Sequence, residues 1–488
     1  MPRYLRAWFL AVALLSLNRL LGLARESVLA AGFGATPKAD ALVVMLTLPD
    51  LLANVLATGA LGYVLLPWWA RQLPDEQNRT QARVLRALLA LGAVLALAVI
   101  VAPQWLADLL APGVVAPERL ELLSGLRWAA LAVPAALTAA LWYTRLQQHS
   151  DVTGMYGMNA VHNGVVIPAL LLAAFVLPAT AAVHVIGISL LAALLLRAAW
   201  LRWRLAPLSA PLHDLSEPVV GLPLASVWVW AVLATGLPQV LPVLARTLVS
   251  DAGGGAIATF NYAWKLVELP NQLAIQLVTT LAFPALARAR AEGRGVEPAL
   301  RSALVLAWTL ACASALALFI GAAPLARLLF GWGRMEPSQV AEVAQWSAWG
   351  AWTLLPQAVI AVLSTVLAAL GRVRAVALAY AAGLIVLWGV GAHEARAVLI
   401  TLTVALTVVA ASMALQTRAE LRRALAWREV LVPAALCAAL AVLAKVAPLT
   451  APPALLALAV LASLALLGVS YAASPHLRGL LRKNRNHA

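Results

Sequence analysis

Charge is what this sequence has least of: Asp, Glu, Lys and Arg make up 11% of its 488 residues, while 63% are hydrophobic. Soluble domains carry about 25% charged residues, so water is excluded as the solvent for most of this chain. Cysteine is nearly absent as well. The only two, Cys312 and Cys437, lie inside apolar runs and read as small core residues rather than as a disulfide or a metal pair. No HExxH, no Walker loop, no nucleotide-binding glycine pattern behind a strand and no Cys/His metal spacing occurs. The expectation is therefore no enzyme, no metal, no cofactor and no ATP-driven pump on this chain alone. Long polar stretches are missing too, so the formal net charge of +15 has no water-exposed domain on which to form a nucleic-acid-binding patch.

What the chain has is apolar runs of about 20 residues or more, the length that spans a bilayer as a helix. Breaking it at Pro, Gly and charge clusters predicts an all-α polytopic membrane protein of fourteen spans. They fall near 6–32, 38–70, 83–102, 120–146, 157–177, 180–203, 223–250, 256–286, 298–322, 337–371, 374–392, 396–417, 428–446 and 453–474. The second and tenth are long enough to be kinked or tilted. The first resembles a signal peptide after Arg3 and Arg6, but it runs on into Arg19, Arg25 and Glu26 and heads a series of spans, so it reads as a helix.

The cations give the orientation. With the N-terminus in the cytoplasm, only Lys38, Arg119, Arg327, Arg334, Arg396 and Lys445 of the 35 fall on the far side, and Arg19, Arg25, Arg127, Arg246 and Lys265 fall within spans. The rest, Arg197 among them, lie at cytoplasmic ends and loops, the positive-inside bias, with both termini inside. Laid on itself at an offset of 221, the sequence matches Leu23-Ala24-Arg25 to Leu244-Ala245-Arg246, Gly34 to Gly255, Asp40 to Asn261 and Leu48-Pro49 to Leu269-Pro270. Spans 1–2 thus fall on 7–8, a repeat that keeps its orientation in the membrane. Two pseudo-symmetric six-helix lobes follow, residues 1–210 and 211–425, with two additional helices and a basic tail in 426–488.

Charges inside spans cost about 2.5–3.5 kcal/mol each on insertion scales and so face a bundle interior or a wet cavity. In the eighth span Asn261, Lys265, Glu268, Gln272, Gln276 and Thr279 share one helical face; the second span carries a thinner face of Asp40, Thr47, Asp50, Asn54 and Thr58. Two repeat-related polar faces suggest two walls of one cavity. The simpler account is that Lys265 and Glu268 pair and the stripe holds helices together. Arg19 and Arg25 lie about 120° apart on an unbroken helix, so one is structural unless Gly22 permits a kink, for instance Arg25 with Glu26 or Asp40. Arg127 either lines the cavity or snorkels, Arg246 either lines it or sits at the outer membrane surface, and His162 and His184 read as satisfied core histidines.

The stretch Asn18-Arg19-Leu20-Leu21-Gly22-Leu23-Ala24-Arg25-Glu26, followed by Phe33-Gly34-Ala35, Ala39-Asp40-Ala41, Leu48-Pro49 and Gly59-Ala60 with Pro67, resembles the start of the MurJ (MviN) family of the MOP superfamily. Tyr262 to Pro270, with Pro284, is similar to that family's eighth helix. The resemblance implies a flippase that moves lipid II, an undecaprenyl-pyrophosphate-linked cell-wall precursor, across the bacterial inner membrane by alternating access. It also implies that the last two helices help form a groove for the lipid tail. Family cavity arginines carry over onto Arg19 and Arg25, with Lys265 where the family usually has Arg. Asp40, Glu268, Asn54 and Gln272 complete the expected substrate site, in a monomer among membrane lipids. Where the family has paired arginines after its Pro-Asn-Leu-Leu, this chain has Ala53-Asn54. An exopolysaccharide or O-antigen repeat unit on the same carrier therefore stands beside lipid II as a substrate. A MATE-like exporter of cationic drugs is less compatible with the arginines.

Overall fold

The computed structural model describes residues 3–208, 221–275, 278, 292, 295–446 and 451–479. Among them there are helices and no strands, and the chain divides into two compact units, Met1–Ala258 with Gly333–Met335, and Thr259–Trp332 with Glu336–Ala488. The helices are α1 (Arg3–Phe33), α2 (Pro37–Trp69), α3 (Pro74–Val101), α4 (Pro103–Leu110), α5 (Glu118–Gln148), α6 (Val152–Phe175), α7 (Ala182–Leu205) and α8 (Ala225–Val249). After these come α9 (Ala256–Pro270), α10 (Glu297–Phe330), α11 (Pro337–Ala369), α12 (Val373–Gly389), α13 (Ala395–Gln416), α14 (Arg418–Ala424), α15 (Trp427–Val446) and α16 (Pro452–Ala473). Eleven helices among the described residues are long and apolar enough to cross a membrane. Residues 276–286 of the eighth predicted span, apart from position 278, lie outside the described residues.

Burial identifies the solvent these helices are built for. The most apolar stretch of α3 has a mean hydropathy of 2.7, yet only 28% of it is buried; α16 buries 22% of a stretch at 2.3. Leu97, Ile385, Trp388 and Leu464 each stand more than half exposed. Apolar surface on that scale is stable only against lipid. The chain is a multi-pass membrane protein.

In the first unit α5 is the central helix, packed by α2, α3 and α7, while α6 lies along α1 and α7. Small residues let these helices approach. A Cβ added at Gly187 would lie 2.3 Å from Trp128 Cγ, and one at Gly59 would lie 2.4 Å from Thr235 Cβ, where α2 meets α8. Gly59→Val should therefore lower stability by about 1–3 kcal/mol through overpacking, whereas Gly22→Ala, with nothing within 4 Å, should leave it unchanged or slightly raised. Thermal unfolding of the detergent-solubilised protein measures both; equal midpoints for the two variants would contradict the packing.

Local chemistry sets the helix ends. Thr36 caps α2, accepting from the Ala39 amide at 3.3 Å, and Pro37 occupies the first turn, where its missing N–H is not needed. Asp151 caps α6 and takes both Arg204 Nε and Nη2, at 2.9 and 2.8 Å. Burial pushes the Asp151 carboxyl up, but the Arg204 hydrogen bonds and the Gly154 amide overcome this and hold it below the usual carboxylate range.

The long second and tenth predicted spans are unbroken helical runs with irregular turns inside. α2 widens into a π turn at Asn54–Thr58, shortly after Pro49, and α11 tightens at Ala351–Thr353. A second π turn, Asn271–Ile275, follows Pro270 at the end of α9. Proline lacks the N–H that an α-helix needs at that point, and a wide turn is one way the chain accommodates the gap. In the second unit α10 is the central helix, packed by α11, α15 and α16. Cys312 and Cys437 meet there as buried free thiols, with Cys437 Sγ 3.4 Å from the Cys312 carbonyl oxygen.

Candidate functional site

In the first unit, charged groups from α1, α2, α7 and α8 gather in the interior. Arg25 donates to Glu26 at 2.8 Å, with side chains 14% and 3% exposed. Arg197 donates to Asp50 at 2.9 Å, and its side chain is 13% exposed. Arg246 is buried, donates to Thr47 Oγ1 at 3.1 Å and lies within electrostatic reach of Glu26 and Asp40. Arg19 is half-buried in α1. Four guanidiniums, Arg19, Arg25, Arg197 and Arg246, thus accompany three carboxylates, Glu26, Asp40 and Asp50, all within helices of apolar composition.

The four predicted site residues of this unit take different places. Arg25 pairs with Glu26, one of the two partners expected for it. Asp40 is wholly buried and accepts from the backbone amides of Gly255 and Ala258, each at 2.7 Å, at the first turn of α9. A carboxylate on the free N–H groups of a helix start satisfies those donors and suits the positive end of the helix dipole. Asn54 is exposed within the π turn of α2, and Arg19 stands on α1. The Thr58 side chain lies outside the described residues.

Two placements, those of Arg197 and His162, differ from the sequence reading, and that of Arg246 falls on one side of an open alternative. Arg197, counted with the cytoplasmic ends, is an interior cation with a carboxylate partner. Arg246 is inside the unit rather than at an outer surface, because Thr47 and the nearby acids compensate its charge. His162 is 4% exposed, and neither ring nitrogen has a hydrogen-bond partner among the described residues, so it is not a satisfied core histidine. His184 does have one, Trp128 Nε1 at 3.1 Å. Arg127 is exposed on α5.

In the second unit Lys265 donates to Glu268 at 2.8 Å, one helical turn on, with side chains 28% and 29% exposed. That pair was the simpler expectation for the stripe. Gln272 lies in the π turn, where its neighbour Asn271 donates to Gln357 Oε1 at 2.6 Å and Gln357 in turn donates to Thr353. Gln357, which periodicity did not single out, is thereby a polar residue of α11 that meets the π turn after α9. Gln276 and Thr279 lie outside the described residues. Beside this polar end is an apolar cavity of about 450 Å³ between α9, α10 and α16, lined by Leu266, Leu269, Leu318, Leu456 and Leu464 among others. Ser463 on its wall donates to Ala459 and Ala313 carbonyls, which leaves little polarity turned inward. A slot of this kind suits a hydrocarbon chain.

Comparison with known proteins gives this arrangement its setting. The chain is 28% identical over 350 residues to the lipid II flippase MurJ of Burkholderia cenocepacia, covering 66% of this chain and 65% of that protein. It is 26% identical over 358 residues to the probable lipid II flippase MurJ of Rhizobium meliloti, covering 66% of this chain and 62% of that one. The matched region thus spans just under two thirds of each relative's length. Among solved structures, a lipid II flippase MurJ in an inward closed conformation has a similar fold, with a TM-score of 0.81 at 14% identity over 95% of this chain and 99% of that one. An inward-facing MATE transporter of the MOP superfamily follows at 0.67 and 14% identity, over 85% and 98%. The sequence profile of lipid II flippase MurJ matches residues 29–474, nearly the whole chain from the end of α1 to the end of α16, and so the chain belongs to the lipid II flippase MurJ family.

Proposed function

We propose that this protein is a flippase, not an enzyme, which carries lipid II across the bacterial inner membrane by alternating access, with fourteen crossings and both termini in the cytoplasm. Family membership sets the reaction class, and the observation that carries the reading is the set of interior guanidiniums in the first unit. Each of Arg25 and Arg197 is held by a carboxylate, which compensates those two charges inside a bilayer. A pyrophosphate competes with those carboxylates for the same planar donors and binds them bidentately. Arg19, Arg25 and Lys265 are the cations assigned to the head group from the sequence, and Arg197 joins them. Glu268 is the carboxylate that Lys265 leaves on binding, and Asn54 and Gln272 supply neutral hydrogen bonds to sugar hydroxyls. The apolar cavity against α16 takes part of the prenyl tail.

A second substrate, an exopolysaccharide repeat unit on the same carrier, is favoured by one observation: exposed Asn54 stands where the family carries an arginine. Complementation separates the two. Expression in cells depleted of their own lipid II flippase should restore cell-wall synthesis and growth. Correct membrane insertion without rescue would overturn lipid II in favour of the exopolysaccharide unit.

A further inference from the structure

We propose that Asp50 and His162 form a proton-binding site in the first unit, held empty by Arg197 and loaded when an anionic head group draws Arg197 away. The trigger rests on the flippase reading; the site itself does not. Three observations place it. His162 is almost wholly buried on α6, and both of its ring nitrogens are unpartnered among the described residues, whereas buried polar groups usually have a partner. Asp50, near the middle of α2, lies within electrostatic reach of His162 and keeps 36% of its side chain exposed. A carboxylate that far into a membrane helix and still exposed opens on water, not lipid. Arg197 Nη1 closes the group by its 2.9 Å bond to Asp50 Oδ1.

The surroundings contain few other groups that could take the proton. From α1 come Arg25 and Glu26, already paired; from α5 Tyr143, near Arg197, and from α6 Tyr156, near Tyr143; and from α8 Arg246, acting on Glu26. Phenols and guanidiniums ordinarily keep their protons through neutral pH, and Glu26 keeps its cation. That leaves the carboxylate and the imidazole. With Arg197 in place, its cation favours an anionic neighbour and disfavours a further cation beside it. When a phosphate takes the Arg197 N–H donors, Asp50 loses its counter-ion. One carboxylate oxygen then gains a proton from hydronium, directly or through His162, which accepts at one ring nitrogen and releases from the other. Only an O–H bond forms, and it breaks again when Arg197 returns. One proton therefore travels with each anionic head group.

Two measurements on the purified full chain test this. In the first, Arg197→Gln stands in for the loaded state, and infrared titration follows the carboxylic-acid C=O band that Asp50→Asn removes. Its midpoint should rise by about 1–3 pH units relative to the unsubstituted protein, the range for loss of an adjacent opposite charge. It should move again in Arg197→Gln with His162→Gln. An unchanged midpoint in a folded variant overturns the site. In the second, undecaprenyl diphosphate is added in weak buffer with a pH-sensitive dye, and about one proton should be taken up per molecule bound, as linkage requires for a single site. Binding without uptake overturns the trigger. Failure of undecaprenyl diphosphate to bind at all counts against the flippase reading, and the infrared result then decides the site alone.

Discussion

Asp40→Ala should destabilise the first unit by about 3 kcal/mol, since hydrogen bonds to a charged acceptor contribute about 1.5–3 kcal/mol each and the stranded donors stay buried. The Gly255 and Ala258 amides would lose their 2.7 Å acceptors at the start of α9. Asp40→Asn keeps one acceptor oxygen and should lose clearly less. Thermal unfolding in detergent reads the difference. If Asp40→Ala unfolded with the unsubstituted protein and failed only in transport, the residue would belong to the substrate site after all and its capping bonds would be incidental.

Arg25→Ala should abolish complementation and also lower stability by about 3–5 kcal/mol, the usual result of leaving one member of a buried pair behind. Glu26, 2% exposed, is the member left. The double variant Arg25→Ala with Glu26→Gln separates the two effects: it should recover most of the stability and none of the transport. Arg25→Lys should retain part of the activity, because an ammonium keeps the charge and loses the fork that grips a phosphate. Recovery of transport in the double variant would show that Arg25 serves only to neutralise Glu26.

The helical plan was legible because bilayer thickness imposes a length that any apolar run reveals, and the predicted limits of α8, 223–250 against Ala225–Val249, show how closely. The long-range pairings were not legible, because they join residues far apart in sequence. Arg197 sits five residues before Arg202 and looks like part of a cytoplasmic basic cluster until Asp50 is found against it. Asp40 read as a wall residue because nothing near it in sequence announces that Gly255 and Ala258 will present bare amides. The Lys265 and Glu268 pair was visible, being one helical turn apart. The π turns escaped a periodicity of 3.6, although Pro49 and Pro270, matched in the repeat, stand just before both.

The separation of the paired residues also sets an order of events during synthesis. Arg25 and Glu26 are adjacent and neutralise each other as they emerge. Asp50 waits for a partner 147 residues downstream and Asp40 for amides 215 residues downstream. At about 5–20 residues per second, those waits are roughly 7–30 s and 11–43 s. Throughout them, α2 is a nascent segment with two uncompensated acids. It must be kept from the lipid by the insertion machinery, or linger at the membrane surface, until α7 and then the start of α9 are made.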